Sequence, residues 1–171
     1  MSSEFRRVAI VNRGEAAMRF INAVREFNHE NGTDIRTIAL FTEPDRRAMF
    51  VREADEAVDL GPALFTDPKS GRQRLAYLDH DHLAWAFSAA KADAVWTGWG
   101  FVAEQAEFVA LVERLGLVHI GPDAASMSRL SDKVAAKRLA ESVAVPVVPW
   151  SGGAVDSLDD ARKAADRLGC P

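Results

Sequence analysis

Short apolar runs alternate with segments whose apolar residues recur every three or four positions. The run FRRVAIV, 5–11, closes on Asn12-Arg13-Gly14 and reads as a strand ending in a turn. Over 15–29, Ala17, Phe20, Ile21, Val24 and Phe27 share one helical face, and Gly32 is placed to end the helix. RTIALFT, 36–42, is a second strand, Pro44 opens a helical turn, and EAVDLG, 56–61, is a third strand. Residues 61–79 hold Gly61, Pro62, Pro68, Gly71 and several charges. They read as one long polar connection, of the kind that is usually functional or mobile. A helix over 80–91 leads to the strand ADAVWTG, 92–98. A helix over 103–115 carries Phe108, Leu111, Val112 and Leu115 on one face and leads to the strand LVHIG, 117–121.

The last fifty residues change character. Short helices are expected at 123–130 and 132–143, the second capped by Ser131. VAVPVVPWSGG, 143–153, has the prolines and glycines of a boundary. Ser157 then caps a helix over 158–168, with Asp160 in capping-box position. Strand and helix alternating in this way predict an α/β fold: a Rossmann-like parallel sheet with helices on both faces. Ligands of such sheets bind beyond the carboxyl ends of the strands. Two loops lie there, Asn12–Glu15 after the first strand and Thr97–Glu104 after the fourth.

Composition narrows the classes. The chain has 171 residues, enough to bury roughly two thirds of its unfolded surface. Its formal charge of −4 argues against nucleic acid, and no run of about 18 apolar residues is present to span a membrane. MSSEFRRVAI lacks the apolar core of a secretory signal, and the single cysteine, Cys170, fits a reducing compartment. The expectation is a cytoplasmic protein.

Three segments could carry chemistry. Val11-Asn12-Arg13-Gly14-Glu15 has a glycine where a strand meets a helix, so backbone amides could approach an anion. It could equally be a tight turn in which Asn12 accepts local hydrogen bonds. Trp96-Thr97-Gly98-Trp99-Gly100-Phe101 brackets an aromatic with two glycines. Either Trp99 offers a stacking face to a ligand, or the tryptophans fill the core; Trp96, inside the strand, suits the core better. In Ser131-Asp132-Lys133 the lysine could meet a phosphate or simply be solvated. His80 and His82, two apart on a helix, diverge and do not make a metal site. No metal ligand set and no catalytic nucleophile is assigned, and G-x-G-x-x-G is absent, which argues against a nicotinamide dehydrogenase.

Taken together, these segments resemble the N-terminal domain of biotin carboxylase, of the acetyl-CoA and propionyl-CoA carboxylase type. The matching stretches are VAIVNRGEAAMR (8–19), ADEAVDLGP (54–62), DAVWTGWGFVAEQAEFV (93–109), VHIGPDAASMSRLSDKVAAKRLA (118–140) and VPVVPWSGG (145–153). WTGWGFVAEQ stands where bacterial subunits usually have HPGYGFLSEN, and Trp99 is more like the large fused acetyl-CoA carboxylases of fatty acid metabolism. Gln105 replaces an asparagine, and the 61–79 connection is longer.

The resemblance implies a pre-ATP-grasp domain over 1–125 and, over 126–171, the first helices of a truncated ATP-grasp region. It implies a ligase that activates bicarbonate with ATP and Mg2+ and carboxylates biotin on a carrier protein. Lys133 matches the lysine that reaches ATP phosphates from this half of the site. Gly98, Trp99, Gly100 and Glu104 match the loop beside biotin, and Asn12, Arg13, Gly14 and Glu15 the strand–turn loop. Arg19 and Glu26 match helix positions that meet a second subunit in bacterial dimers, with Asn22 where an arginine stands between them. The catalytic residues of the family fall past the end of this chain. A fragment inactive alone is therefore expected, with the rest of the carboxylase chain, a biotin carrier domain, a carboxyltransferase and a homodimer mate as partners. The alternatives are a non-catalytic binding module of the same fold and the first domain of another ATP-grasp ligase.

Overall fold

The computed structural model describes residues 5–67 and 71–169, so Pro68 and Cys170 lie outside the described residues. The chain forms two compact units, 1–124 and 125–171.

The first unit is built on a five-stranded parallel sheet in the order β3-β2-β1-β6-β7. Its strands are β1 (Arg7–Ile10), β2 (Arg36–Phe41), β3 (Glu56–Asp59), β6 (Ala94–Trp96) and β7 (Val118–His119). The helices of this unit are α1 (Gly14–Asn31), α2 (Met49–Glu53), α3 (His80–Ala89) and α4 (Ala106–Arg114). From β1 the chain steps through α1 to β2 on one side, and β6 then returns to the other side of β1. Right-handed crossovers running in opposite directions put their helices on opposite faces.

Register decides which residues enter which layer. Ile10 lies opposite Ala39 and Trp96, and all three face α1, where Ala17 and Ile21 complete a cluster with Phe41 and Phe50. Alternation turns Ala9, Ile38 and Val95 to the opposite layer, where Phe87 of α3 meets Phe108 of α4 edge-on. Burying one such aliphatic or aromatic side chain contributes roughly 1.5–3 kcal/mol. Gly32 ends α1 as expected, at φ 63°, with its amide donating to the Asn28 carbonyl. Phe27 departs from its expected face and is 48 % exposed, as is Leu115 at 45 %. Leu115 stands just past the end of α4 as its C-cap.

The 61–79 stretch is not the structureless loop its composition implied. Leu64–Thr66 (β4) pairs antiparallel with Gln73–Leu75 (β5), and a 3-10 turn follows at Ala76–Leu78. Ala76 and Tyr77 of that turn are buried. Gly71 was conspicuous in the sequence, but the two three-residue strands are too short to show alternation.

The amino end of the sheet is held by polar side chains. Arg7 reaches past β2 to Glu56 in a two-bond ion pair of 2.7 and 2.9 Å. Its Nε and Nη2 also donate to the Ala90 carbonyl, and Nε to that of Lys91. That hydrogen-bonded pairing raises the Arg7 pKa and lowers that of Glu56. Asp93 accepts from the amides of Arg6 and Arg7, at 2.9 and 2.7 Å. Burial alone would raise the Asp55 pKa, yet the amide and hydroxyl of Thr37 donate to its carboxylate and hold it low.

In the second unit, α5 (Ala124–Leu130), α6 (Lys133–Ser142) and α7 (Leu158–Leu168) have no buried residues. Asp132, not Ser131, caps α6: its carboxylate accepts the Ala135 amide at 2.6 Å. Ser131 instead donates to the Ser128 carbonyl of α5. Ser157 caps α7 as expected, its hydroxyl oxygen accepting the Asp160 amide at 3.1 Å; the Asp160 carboxylate accepts from the Ser157 hydroxyl rather than from its backbone amide, so the capping box is only half formed. The segment before α7 is tied by Arg167 to the Trp150 and Ser151 carbonyls, and by the Trp150 indole to Glu141.

Candidate functional site at the carboxyl edge of the sheet

The chain leaves β1 toward β2 on one side and returns through β6 on the other, so the strand order reverses between β1 and β6. In parallel sheets the ligand crevice opens at such a point, beyond the carboxyl ends of the two strands. Here the two loops singled out by sequence meet, and Asn12 joins them. Its side chain is buried, and its amide nitrogen donates to the Thr97 carbonyl at 2.7 Å and the Trp99 carbonyl at 2.8 Å. Its oxygen accepts the Arg13 amide at 2.8 Å. The local hydrogen bond expected of a tight turn is therefore present, beside two long-range ones.

Gly98 sits inside this junction at φ 61°. A Cβ there would stand 2.6 Å from the Trp96 ring and 3.2 Å from the Asn12 amide nitrogen. Both the conformation and the space demand glycine. Trp96 stacks on Phe20 of α1, with centroids 4.4 Å apart, as the core reading expected. Trp99 points the other way and is 57 % exposed. Gly100, at φ 75°, has open space around it, so the backbone beside Trp99 is accessible. Phe101 closes the loop against Tyr77, with ring centroids 4.8 Å apart, and Tyr77 donates to the Leu40 carbonyl at 2.7 Å. Burial raises the Tyr77 pKa, so the phenol stays protonated. Glu104 is exposed in the turn before α4.

Arg13 is directed away from this loop. Its Nε and Nη2 donate to the two carboxylate oxygens of Asp45 at 2.6 Å each. Asp45 lies in the 3-10 turn Glu43–Asp45 after β2 and is nearly buried. This pairing raises the Arg13 pKa. Sequence reasoning missed Asp45 and Tyr77. The signal for Asp45 was available, because an acidic residue one turn past a strand end faces the neighbouring strand's loop. Gly14, at φ 59°, opens α1, and Glu15 pairs with Arg19 on the helix surface. Arg19, Asn22 and Glu26 follow along one exposed face of α1. Lys133 opens α6 in the second unit and is exposed. Among the described residues no three His, Cys, Asp or Glu side chains gather to hold a metal, and no helix is long and apolar enough to cross a membrane.

The family model for the biotin carboxylase N-terminal domain matches residues 4–127. The chain belongs to that family. Biotin carboxylase 1 of Bacillus subtilis is 32 % identical over 166 residues, which is 97 % of this chain and 34 % of that protein. A putative urea carboxylase of Emericella nidulans is 38 % identical over 162 residues, 95 % of this chain and 12 % of its own. Among solved structures, the biotin carboxylase–βγ-ATP complex from Campylobacter jejuni superposes with a TM-score of 0.82 at 31 % identity. It is matched by 98 % of this chain over 34 % of its own. The dimeric biotin carboxylase domain of 2-oxoglutarate carboxylase from Hydrogenobacter thermophilus, holding MgADP and bicarbonate, gives 0.79 at 30 % identity. It is matched by 98 % of this chain over 34 % of its own. The chain thus spans about a third of the length of the biotin carboxylases it matches.

Proposed function

We propose that this chain is the N-terminal part of a biotin carboxylase that uses ATP and bicarbonate to carboxylate biotin on a carrier protein, within an acyl-CoA carboxylase. The observation that carries this reading is the loop Gly98-Trp99-Gly100, held at the switch point of a sheet whose family is biotin carboxylase. The accessible backbone of this loop and the exposed face of Trp99 suit a flat, hydrogen-bonding ring such as the biotin ureido group. Gly98 and Gly100 let it approach the main chain, Trp99 stacks or flanks it, and Glu104 supports the loop from outside. The strand–turn loop Asn12–Glu15 forms the other wall.

Lys133 supplies charge to nucleotide phosphates from the second unit, which we read as the start of an ATP-grasp region beginning near residue 126. Neutralising phosphate charge by lysine and metal is what phosphoryl transfer requires of a protein. ATP brings the phosphoryl group when bound. The carrier domain, the carboxyltransferase and a second copy docked along Arg19 and Glu26 of α1 complete the set of partners, in the cytoplasm. This chain alone is inactive.

The test is ATP hydrolysis by the intact gene product. We expect turnover that requires bicarbonate and rises with free biotin, and a raised KM for ATP in Lys133→Ala. Turnover indifferent to bicarbonate and biotin would point instead to another ligase or a binding module. An unchanged ATP KM would remove Lys133 from the site.

A further inference from the structure

In a doubly wound sheet, the crevice between the strands at the switch point is where a ligand ordinarily inserts. In this chain that crevice is filled from within. The Asn12 side chain bridges it, spending both amide hydrogens on the backbone of the facing loop. The same two acceptor carbonyls flank Gly98, whose own conformation leaves no room for a side chain. Thr97, next to it, is also buried, and its hydroxyl lies 3.3 Å from His119 Nε2 on β7. The loop is thus fixed at its root and free at its tip, where Trp99 is exposed.

From this geometry we infer that Asn12 is a positioning residue: it closes the switch-point crevice and sets the pose of Trp99, so that the ligand is met outside the sheet rather than between the strands. The ligand identity rests on the biotin reading above, whereas the positioning of the loop does not. Asn12 touches no ligand in this scheme. It acts through the Trp99 carbonyl. Replacing the amide by a carboxylate, Asn12→Asp, keeps size and shape but removes both donors and sets negative charge against two carbonyl oxygens. The loop root then detaches.

The experiment uses the intact gene product with free biotin as the probe. In Asn12→Asp, hydrogen exchange at the Ala103 amide, which donates to the Gly100 carbonyl of the loop at 2.9 Å, is expected to accelerate while β1 and β6 stay protected. The apparent KM for biotin should rise about 10- to 100-fold, the scale on which a misplaced binding group acts, with the KM for ATP unchanged. Trp99→Ala, at an exposed position that threatens no core, provides the second arm. If Asn12 acts through Trp99, the double variant shows no further rise in biotin KM beyond Trp99→Ala alone. Unchanged exchange at Ala103 would overturn the inference, as would fully additive effects of the two substitutions or equal losses for biotin and ATP. If the wild-type protein ignores biotin, the proposed function fails, and the exchange data still decide whether Asn12 holds the loop.

Discussion

The two ends of the same sheet use polar side chains in opposite ways. At the amino end, Arg7, Glu56, Asp93, Asp55 and Thr37 bond to one another and to strand backbones. Arg7 also reaches the Ala90 and Lys91 carbonyls at the end of α3, and the result is a clamp across β3, β2, β1 and β6. At the carboxyl end, Asn12 and the Arg13–Asp45 pair bond loops rather than strands. They leave Trp99, Gly100 and Glu104 turned outward. One end fastens the fold. The other presents a rigidly rooted surface, which is the arrangement a binding site requires.

Five expectations test this contrast. The largest effect belongs to Gly98→Ala. A left-handed φ on a residue with a Cβ, added to contact with the Trp96 ring, should cost about 2–4 kcal/mol in denaturant unfolding. A loss below about 1 kcal/mol would mean the loop root is pliable rather than fixed. Next comes Asp45→Ala, which leaves Arg13 without its two-bond partner. A half-exposed arginine regains water, so about 1–2 kcal/mol is expected, with fluorescence of the Trp99 loop little changed.

A smaller effect is expected from the amino-end clamp. Arg7→Ala should lower stability by about 0.5–1 kcal/mol, because both partners are partly solvated. The clamp also predicts a pH dependence with a definite sign. Asp55 and Glu56 both have lowered pKa values in the folded state. Their stabilisation is therefore present above the ordinary carboxylate range and is lost as pH falls through the lowered values. Stability should decline on acidification below about pH 4, and less steeply in Glu56→Gln. The smallest effect is Lys133→Ala, which should leave the unfolding midpoint within about 0.5 kcal/mol of the parent. A larger loss would give the lysine a structural role in place of the proposed nucleotide one.

Much of this was readable in the chain, for identifiable reasons. The parallel sheet followed from apolar runs such as VAIV and TIALF separated by helical periodicity, and Gly32 and Ser157 marked helix ends by their own conformational chemistry. The β4–β5 hairpin was not readable, since three-residue strands carry no period and their pairing is a tertiary event. The two candidate loops were legible because glycines at strand ends are conspicuous. The bonds that join them were not. Nothing in Asn12 says that its amide will cross to Thr97 and Trp99, because that depends on β1 and β6 becoming neighbours across 85 residues of chain. Asp45 could be noticed as an acidic residue just past a strand end, but its pairing with Arg13 could not, because that is set by the packing of the β1 and β2 loops.

The most direct test of the account is whether biotin is met at Trp99. Acrylamide quenching of tryptophan fluorescence in the intact gene product should fall when free biotin is added, and that protection should vanish in Trp99→Phe. Quenching that is unchanged by biotin, or protection that survives in Trp99→Phe, would contradict the assignment of the carboxyl-edge loop as the biotin-facing surface.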